Sequence, residues 1–313
     1  MSLKNKLKGF FLTTSALLAL SSCPKYQNEY IHVPKEPLNK LTLEGETFDL
    51  EKATIVQYAN YNSKNIVAFI MDQHYPDDPE KYKILMEQAQ KIHPEIYRTL
   101  EELTEENNSK FMGLEGYDKE FSKESLKDVS KDTKVLYELI INSNKEQQQE
   151  FVKLICFNAG LCEASMAFEF VNGDNIFSEG VDYEDEKLTK ALRLADKYTE
   201  VQIKAQQVKQ MYNNKDKWNK LSKQEQKLLI EMIVIPAKEI TEEFYKKVVE
   251  ERSEVFVQNL LIDYEAWRQQ GNESKVIILI GGSLHYSHKP GVAEYLDKTK
   301  TSYIILKPNS LND

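Results

Sequence analysis

Arginine is nearly absent from a chain that is rich in lysine. Of 41 basic residues in the 313-residue sequence, only Arg98, Arg193, Arg252 and Arg268 are arginine. Lysine suits solvated faces, so an arginine on an apolar stripe stands out and calls for a buried anion. Cysteine is also scarce, at three residues, which excludes a small disulfide-stapled scaffold. No apolar run is long enough to span a bilayer as a helix, which excludes a polytopic membrane protein. There is no GxSxG elbow, no Walker loop and no HExxH pair, and Ser283 in GGSLH does not make a serine-hydrolase signature. No low-complexity segment or short-period repeat occurs.

What is present is a globular composition, 41% hydrophobic and 29% charged, with a formal net charge of −9. That charge argues against a general nucleic-acid binder, which needs a clustered basic surface. Residues 1–22 read as a secretory signal: Lys4, Lys6 and Lys8, then an apolar run from Phe10 to Leu20. The run closes on Leu20-Ser21-Ser22-Cys23, which resembles the bacterial lipobox. Cleavage before Cys23 and its lipidation would hold the body on a membrane face, outside the cytoplasm. Residues 23–45, with Pro24, Pro34 and Pro37, read as the tether. Cys156 and Cys162, in FVKLICFNAGLC, read either as two small buried thiols or, if Gly160 breaks the helix, as a disulfide.

The remainder, 46–313, reads as one α/β domain. Strand-like runs fall at roughly 53–58, 65–71, 111–115, 167–171, 276–281 and 302–307. Several are continuously apolar, as strands covered on both faces are. Helical patterns separate them, at about 79–107, 122–142, 145–160, 186–213, 221–232 and 238–270. The alternation predicts a mostly parallel central sheet flanked by helices. The stretch from about 186 to 250 reads as a helical insertion or cap without a core of its own, and the lysines of 203–223 as a solvated face. Trp218 and Trp267 read as packing residues. IVAFIMDQHY and VIILIGGSLHY each end an apolar strand in His-Tyr, which suggests two similar halves.

In open α/β sheets, ligands bind beyond the carboxyl ends of the strands. There the sequence delivers Asp72, His74 and Tyr75 after one strand and Glu115 after another. Gly281 and Gly282 precede Ser283, His285, Tyr286 and His288 after a third. Two carboxylates with two or three imidazoles at one edge suit a metal site or a general acid–base pair. Asp182, after Gly180 and before a helix, reads as a cap or as a further cleft residue. Arg252 falls on the apolar stripe Phe244, Val248, Val255 and Asn259, so it is expected to pair with Glu115 or Asp72, or to clamp a substrate oxyanion.

This ordered set resembles the superfamily of the TraB/GumN proteins, the Tiki metalloproteases, the ChaN-like haem-binding lipoproteins and the erythromycin esterases. MDQH stands for the first motif, FMGLEG supplies Glu115, GVD supplies Asp182, EERSE supplies Arg252, and Gly282 to His285 is a full Gly-x-x-His. The chain departs from the pattern at Met71, where glycine is usual, and at Asp72, where glutamate is usual. The resemblance implies a membrane-anchored extracytoplasmic hydrolase acting on a small molecule or peptide. In it Glu115, His285 and Arg252 would be catalytic, and His74, Asp72, Glu115 and His285 would hold a divalent Mn, Co or Zn. It also implies two alternatives: a haem- or metal-complex-binding lipoprotein using Tyr75, Tyr286, His74 or His285, and an inactive structural member.

Overall fold

The computed structural model describes residues 30–73, 83–115, 142–158, 163–173, 175–183 and 185–311. The signal, Cys23, His74, Tyr75 and the expected helix at 122–142 lie outside the described residues. Among the described residues, no helix is long and apolar enough to cross a membrane.

Nine strands are described. They are β1 (Ile31–His32), β2 (Lys40–Leu43), β3 (Glu46–Asp49), β4 (Ala53–Ala59), β5 (Ile66–Asp72), β6 (Phe111–Leu114), β7 (Phe177–Gly180), β8 (Val276–Gly282) and β9 (Ser302–Pro308). Seven form one sheet in the order β1-β4-β9-β5-β8-β6-β7, and β2 pairs with β3 alone. From β9 to β7 all pairings are parallel, and β4 joins antiparallel to β9. The fold is therefore α/β with a mostly parallel sheet. Its centre is the part most legible as continuous apolar sequence: every residue of β5 is buried, as are the first six of β8. Such a strand has no polar face to give to water, so helices must cover both sides.

The helices are α1 (Lys83–Glu105), α2 (Lys145–Phe151), α3 (Ala164–Asn172), α4 (Asp185–Asn213), α5 (Lys215–Lys220), α6 (Lys223–Leu229), α7 (Ile235–Phe244), α8 (Glu251–Gln269), α9 (Leu284–Ser287) and α10 (Val292–Thr299). Wide π-turns interrupt them at Val152–Asn158, Ile230–Val234 and Tyr245–Glu250. Helix α1 buries Ala89, Ile92, His93, Ile96, Leu100 and Leu103, the three- and four-residue spacing of one face.

Three expectations need correction. The run at 167–171 is not a strand but part of α3. Ala164, Ala167 and Phe168 are buried at helical spacing, and the Phe168 ring meets Tyr97 of α1 edge-on at 5.6 Å. The described part of the expected tether is not free linker: β1 pairs with β4, Leu38 bridges to Ile55, and Leu43 is buried. The Arg252 stripe is displaced. The π-turn before α8 adds a residue to the turn, so the buried face becomes Arg252, Ser253, Phe256, Val257, Leu260, Tyr264 and Trp267.

The chain divides into two compact units, and Glu186–Glu251 is set apart from the α/β body. Contrary to expectation, this helical unit has a small core of its own: Ala205, Val208, Trp218, Ile230, Val234 and Ala237. Tyr198 stacks on Phe244 within it at 3.9 Å. In the body, Cys156 is buried and disulfide-bonded, with its partner outside the described residues.

Candidate functional site

Parallel pairing aligns the carboxyl ends of β5, β8, β6 and β7, and the chain continues each ladder by one step past the strand. Asp72 stands opposite Gly282. Ser283 N–H donates to the Asp72 carbonyl at 2.9 Å, Glu115 N–H to the Ile280 carbonyl at 3.1 Å, and Val181 N–H to the Leu114 carbonyl at 3.1 Å. Four consecutive strand ends are thus locked side by side, and the first residues beyond them carry the polar side chains.

Glu115 is the hub. Its Oε1 lies 3.0 Å from Arg252 Nη2 and 3.2 Å from His285 Nε2, and its Oε2 accepts from the Gly282 N–H. Glycine at 281 leaves room for this approach: a Cβ there would sit tightly against Glu115 Oε2 at 3.2 Å and the Phe69 ring at 3.1 Å, and those side chains would have to shift. Arg252 reaches in from α8 and forks onto Asp182, with Nε to Oδ1 at 3.0 Å and Nη2 to Oδ2 closer still. Such two-pronged pairing is what a planar guanidinium offers and lysine does not. Burial opposes the Arg252 charge, but the Glu115 and Asp182 carboxylates outweigh it and hold the group above its usual range. Asn259 Nδ2 donates to the carbonyls of Val181 and Asp182, both at 3.1 Å, and so fixes the turn that presents Asp182.

His285 sits on the short helix α9 with only 3% of its surface exposed. Nε2 faces Glu115, and Nδ1 lies 2.8 Å from Ser253 Oγ. Its ring packs against Phe256 at 4.7 Å between centroids, and the Arg252 guanidinium lies 5.2 Å from the centroid of the same Phe256 ring. An ionised carboxylate only accepts, so Nε2 carries a proton, and in the neutral ring Nδ1 accepts from Ser253.

The structure thus brings together Glu115, Asp182, Arg252 and His285 of the residues singled out in the sequence. Arg252 takes Glu115 and Asp182 as its partners. Asp72 is buried at the same edge, but its Oδ1 accepts from Gln73 N–H at 2.7 Å and lies 3.8 Å from His93 Nδ1 on α1. Tyr286 is half-buried; burial raises its phenol above the ordinary range, and Glu294 adds to this. Lys289 lies over its ring at 5.8 Å. His288 caps α9 through its backbone, donating to the Leu284 carbonyl. Sequence reasoning missed Ser253 and His93. Ser253 adjoins Arg252, and the displaced face of α8 turns both inward. His93 falls on the buried spacing of α1, which a helix count could have found.

The described residues taken alone do not make a cation site. Glu115 already holds a guanidinium, an N–H and an imidazole, and Asp182 holds the same guanidinium, a fixed positive charge where a metal would sit. Among the described residues, no group of three or more His, Cys, Asp or Glu is placed to hold a metal ion. The expected metal set therefore turns on His74, outside the described residues. No protein-family model, curated protein or solved structure matches the chain.

Proposed function

We propose that the chain is a membrane-anchored, extracytoplasmic hydrolase of a small molecule or peptide, of the Tiki, TraB and erythromycin-esterase kind. One observation carries the reading: the buried Glu115 carboxylate is shared by Arg252 and His285 at the carboxyl edge of a parallel sheet. Structural ion pairs need no imidazole, whereas a carboxylate-backed imidazole is the working part of a general base. Arg252 cannot lose its proton, so it favours the ionised form of Glu115. Glu115 then holds the proton on Nε2 and steadies the imidazolium. Proton transfer runs through Nδ1, where the Ser253 hydroxyl lies. In hydrolysis the Ser253 hydroxyl would relay the proton: His285 Nδ1 takes the hydroxyl proton as Ser253 Oγ takes one from the attacking water, and the reverse relay returns it to the leaving group. The adjacent parallel pairing of β5 and β8 supports reading their His-Tyr ends as equivalent positions of two repeated halves.

The test is turnover of an ester and peptide panel by the purified chain, with metal analysis and a haem titration alongside. His285→Ala and Glu115→Gln should each lower turnover at least a hundredfold, the lower end for losing a general base, while His32→Ala, at an exposed position, should not. Undiminished turnover in His285→Ala would overturn the assignment. Stoichiometric Mn, Zn or Co that is lost in His74→Ala would add a metal to the site. A Soret band without turnover would replace the hydrolase by a haem-binding lipoprotein. The anchor has its own test: Cys23→Ser should abolish lipid labelling, and undiminished labelling would sink it.

A further inference from the structure

The acid count of the chain is high, yet between 201 and 224 the sole acidic residue is Asp216, against Lys204, Lys209, Lys215, Lys217, Lys220 and Lys223. This stretch is the end of α4, all of α5 and the start of α6. It is held rigidly. Asn214 caps α5 and Ser222 caps α6 in a capping box. Gln226 Nε2 donates to the Trp218 and Leu221 carbonyls, at 2.9 and 3.2 Å. Trp218 turns inward, edge-on to Tyr212 at 5.3 Å. With the indole buried, Lys215, Lys217, Lys220 and Lys223 are all exposed. Other lysines of the helical unit find acids one turn away, as in Lys190–Glu186, Lys204–Glu200, Lys227–Glu231, Lys238–Glu242 and Lys247–Glu243. No ion pair among the described residues engages the four at the turn.

We infer that this lysine turn is a docking surface for the anionic headgroups of the bilayer that carries the lipid anchor. Charge complementarity selects the class of partner. The chain as a whole is at −9 and repels an extended polyanion that would run along it. A planar headgroup layer touched by one turn feels mainly charges within a Debye length, about 8 Å at physiological salt, and along this turn the four lysines outnumber the two acids, Asp216 and Glu225. Lysine, a compact point charge, suits a fluid layer of phosphates that offers no fixed geometry for a guanidinium fork. Attraction that would be weak for a free protein suffices for one already tethered, because the tether raises the effective concentration. The inference rests on the anchored reading of Cys23 and not on the hydrolase reading.

The test uses the full lipid-bearing chain in vesicles of phosphatidylcholine alone, or of phosphatidylcholine with phosphatidylglycerol. Amine acetylation is read residue by residue by mass spectrometry. Flotation with both vesicle types confirms the anchor; failure to float with phosphatidylcholine alone sinks the anchor separately. With the anionic vesicles at low salt, Lys215, Lys217, Lys220 and Lys223 should be protected, while Lys190 and Lys238 label as before. High salt should remove the protection. Each Lys→Glu change among the four should lower the docked fraction about fivefold or more, since a lysine near such a surface contributes about a factor of five. Equal labelling in the two vesicle types would overturn the inference. So would protection by soluble DNA or an acidic protein but not by anionic vesicles.

Discussion

Replacing Arg252 by methionine tests the charged core most directly. The Arg252 head lies 3.0 Å from Glu115 and forks onto Asp182, and side-chain exposures are 4%, 7% and 0% for the three. Methionine keeps much of the apolar stem and none of the charge, so two buried carboxylates lose their cation together. Removing one partner of a buried pair costs about 3–5 kcal/mol. Glu115→Gln is the milder change, because the Asp182 fork survives and the amide keeps a carbonyl for an N–H. Its cost should be about 1–2 kcal/mol, the worth of a weakened charged hydrogen bond. For a domain of roughly 150–250 residues, 1 kcal/mol moves the melting midpoint by about 2–4 °C. Arg252→Met should therefore melt roughly 6–20 °C below the parent, and Glu115→Gln only a few degrees below. The double variant should fall short of the sum by about 0.5–3 kcal/mol, since contacting groups couple. The Arg252→Met deficit should shrink as pH falls, because protonation removes the stranded charge. Urea and thermal denaturation followed by circular dichroism at successively lower pH would measure this. An Arg252→Met protein melting within a degree or two of the parent would refute the reasoning, since both carboxylates would then be reaching water.

Two further outcomes follow from the geometry. Ser253→Ala should lower stability by about 1 kcal/mol through loss of the bond to His285 Nδ1, and Ser253→Thr should restore most of it. An unchanged urea midpoint in the alanine variant would show that the contact contributes nothing. Burial pushes the Asp297 carboxyl above its ordinary 3.8, against the pull of hydrogen bonds from Tyr61 and Tyr303. The folded state thus holds this proton more tightly than the unfolded one. Its contribution to stability is full below pH 3.8 and declines as pH rises through the higher folded value. Asp297→Asn should lack that slope, so the difference between the two proteins' stabilities should change with pH across this window; parallel curves would contradict it.

The sheet was legible where both faces are covered. IVAFIM, VIILIGG and YIIL are apolar throughout, and no alternation competes with a strand reading. FSEG, which forms β7, carries one apolar residue in four, and its place comes from pairing with β6, a contact far away in the sequence. AFEFV alternates like a strand but packs Phe168 on Tyr97 as a helix, because tertiary contacts override a five-residue pattern. Glu115, Asp182, Arg252 and His285 were visible as misplaced polar residues beside glycines or apolar stripes. What could not be read was which carboxylate Arg252 takes, since the π-turn rotates α8 by a residue, and that same rotation brings Ser253 to His285.

The Asp182–Arg252 fork joins residues 70 positions apart, and the helical unit Glu186–Glu251 lies wholly between them. In chain-entropy terms the fork closes a loop. If that loop were a flexible coil, closure would cost about 4 kcal/mol, from (3/2)RT ln n for a span of this length. Structure formed within those residues, such as the stack of Tyr198 on Phe244, shortens the free span and lowers that penalty. Anything that lengthens the unstructured chain between positions 182 and 252 therefore weakens the fork by entropy alone, with every residue of the site still in place.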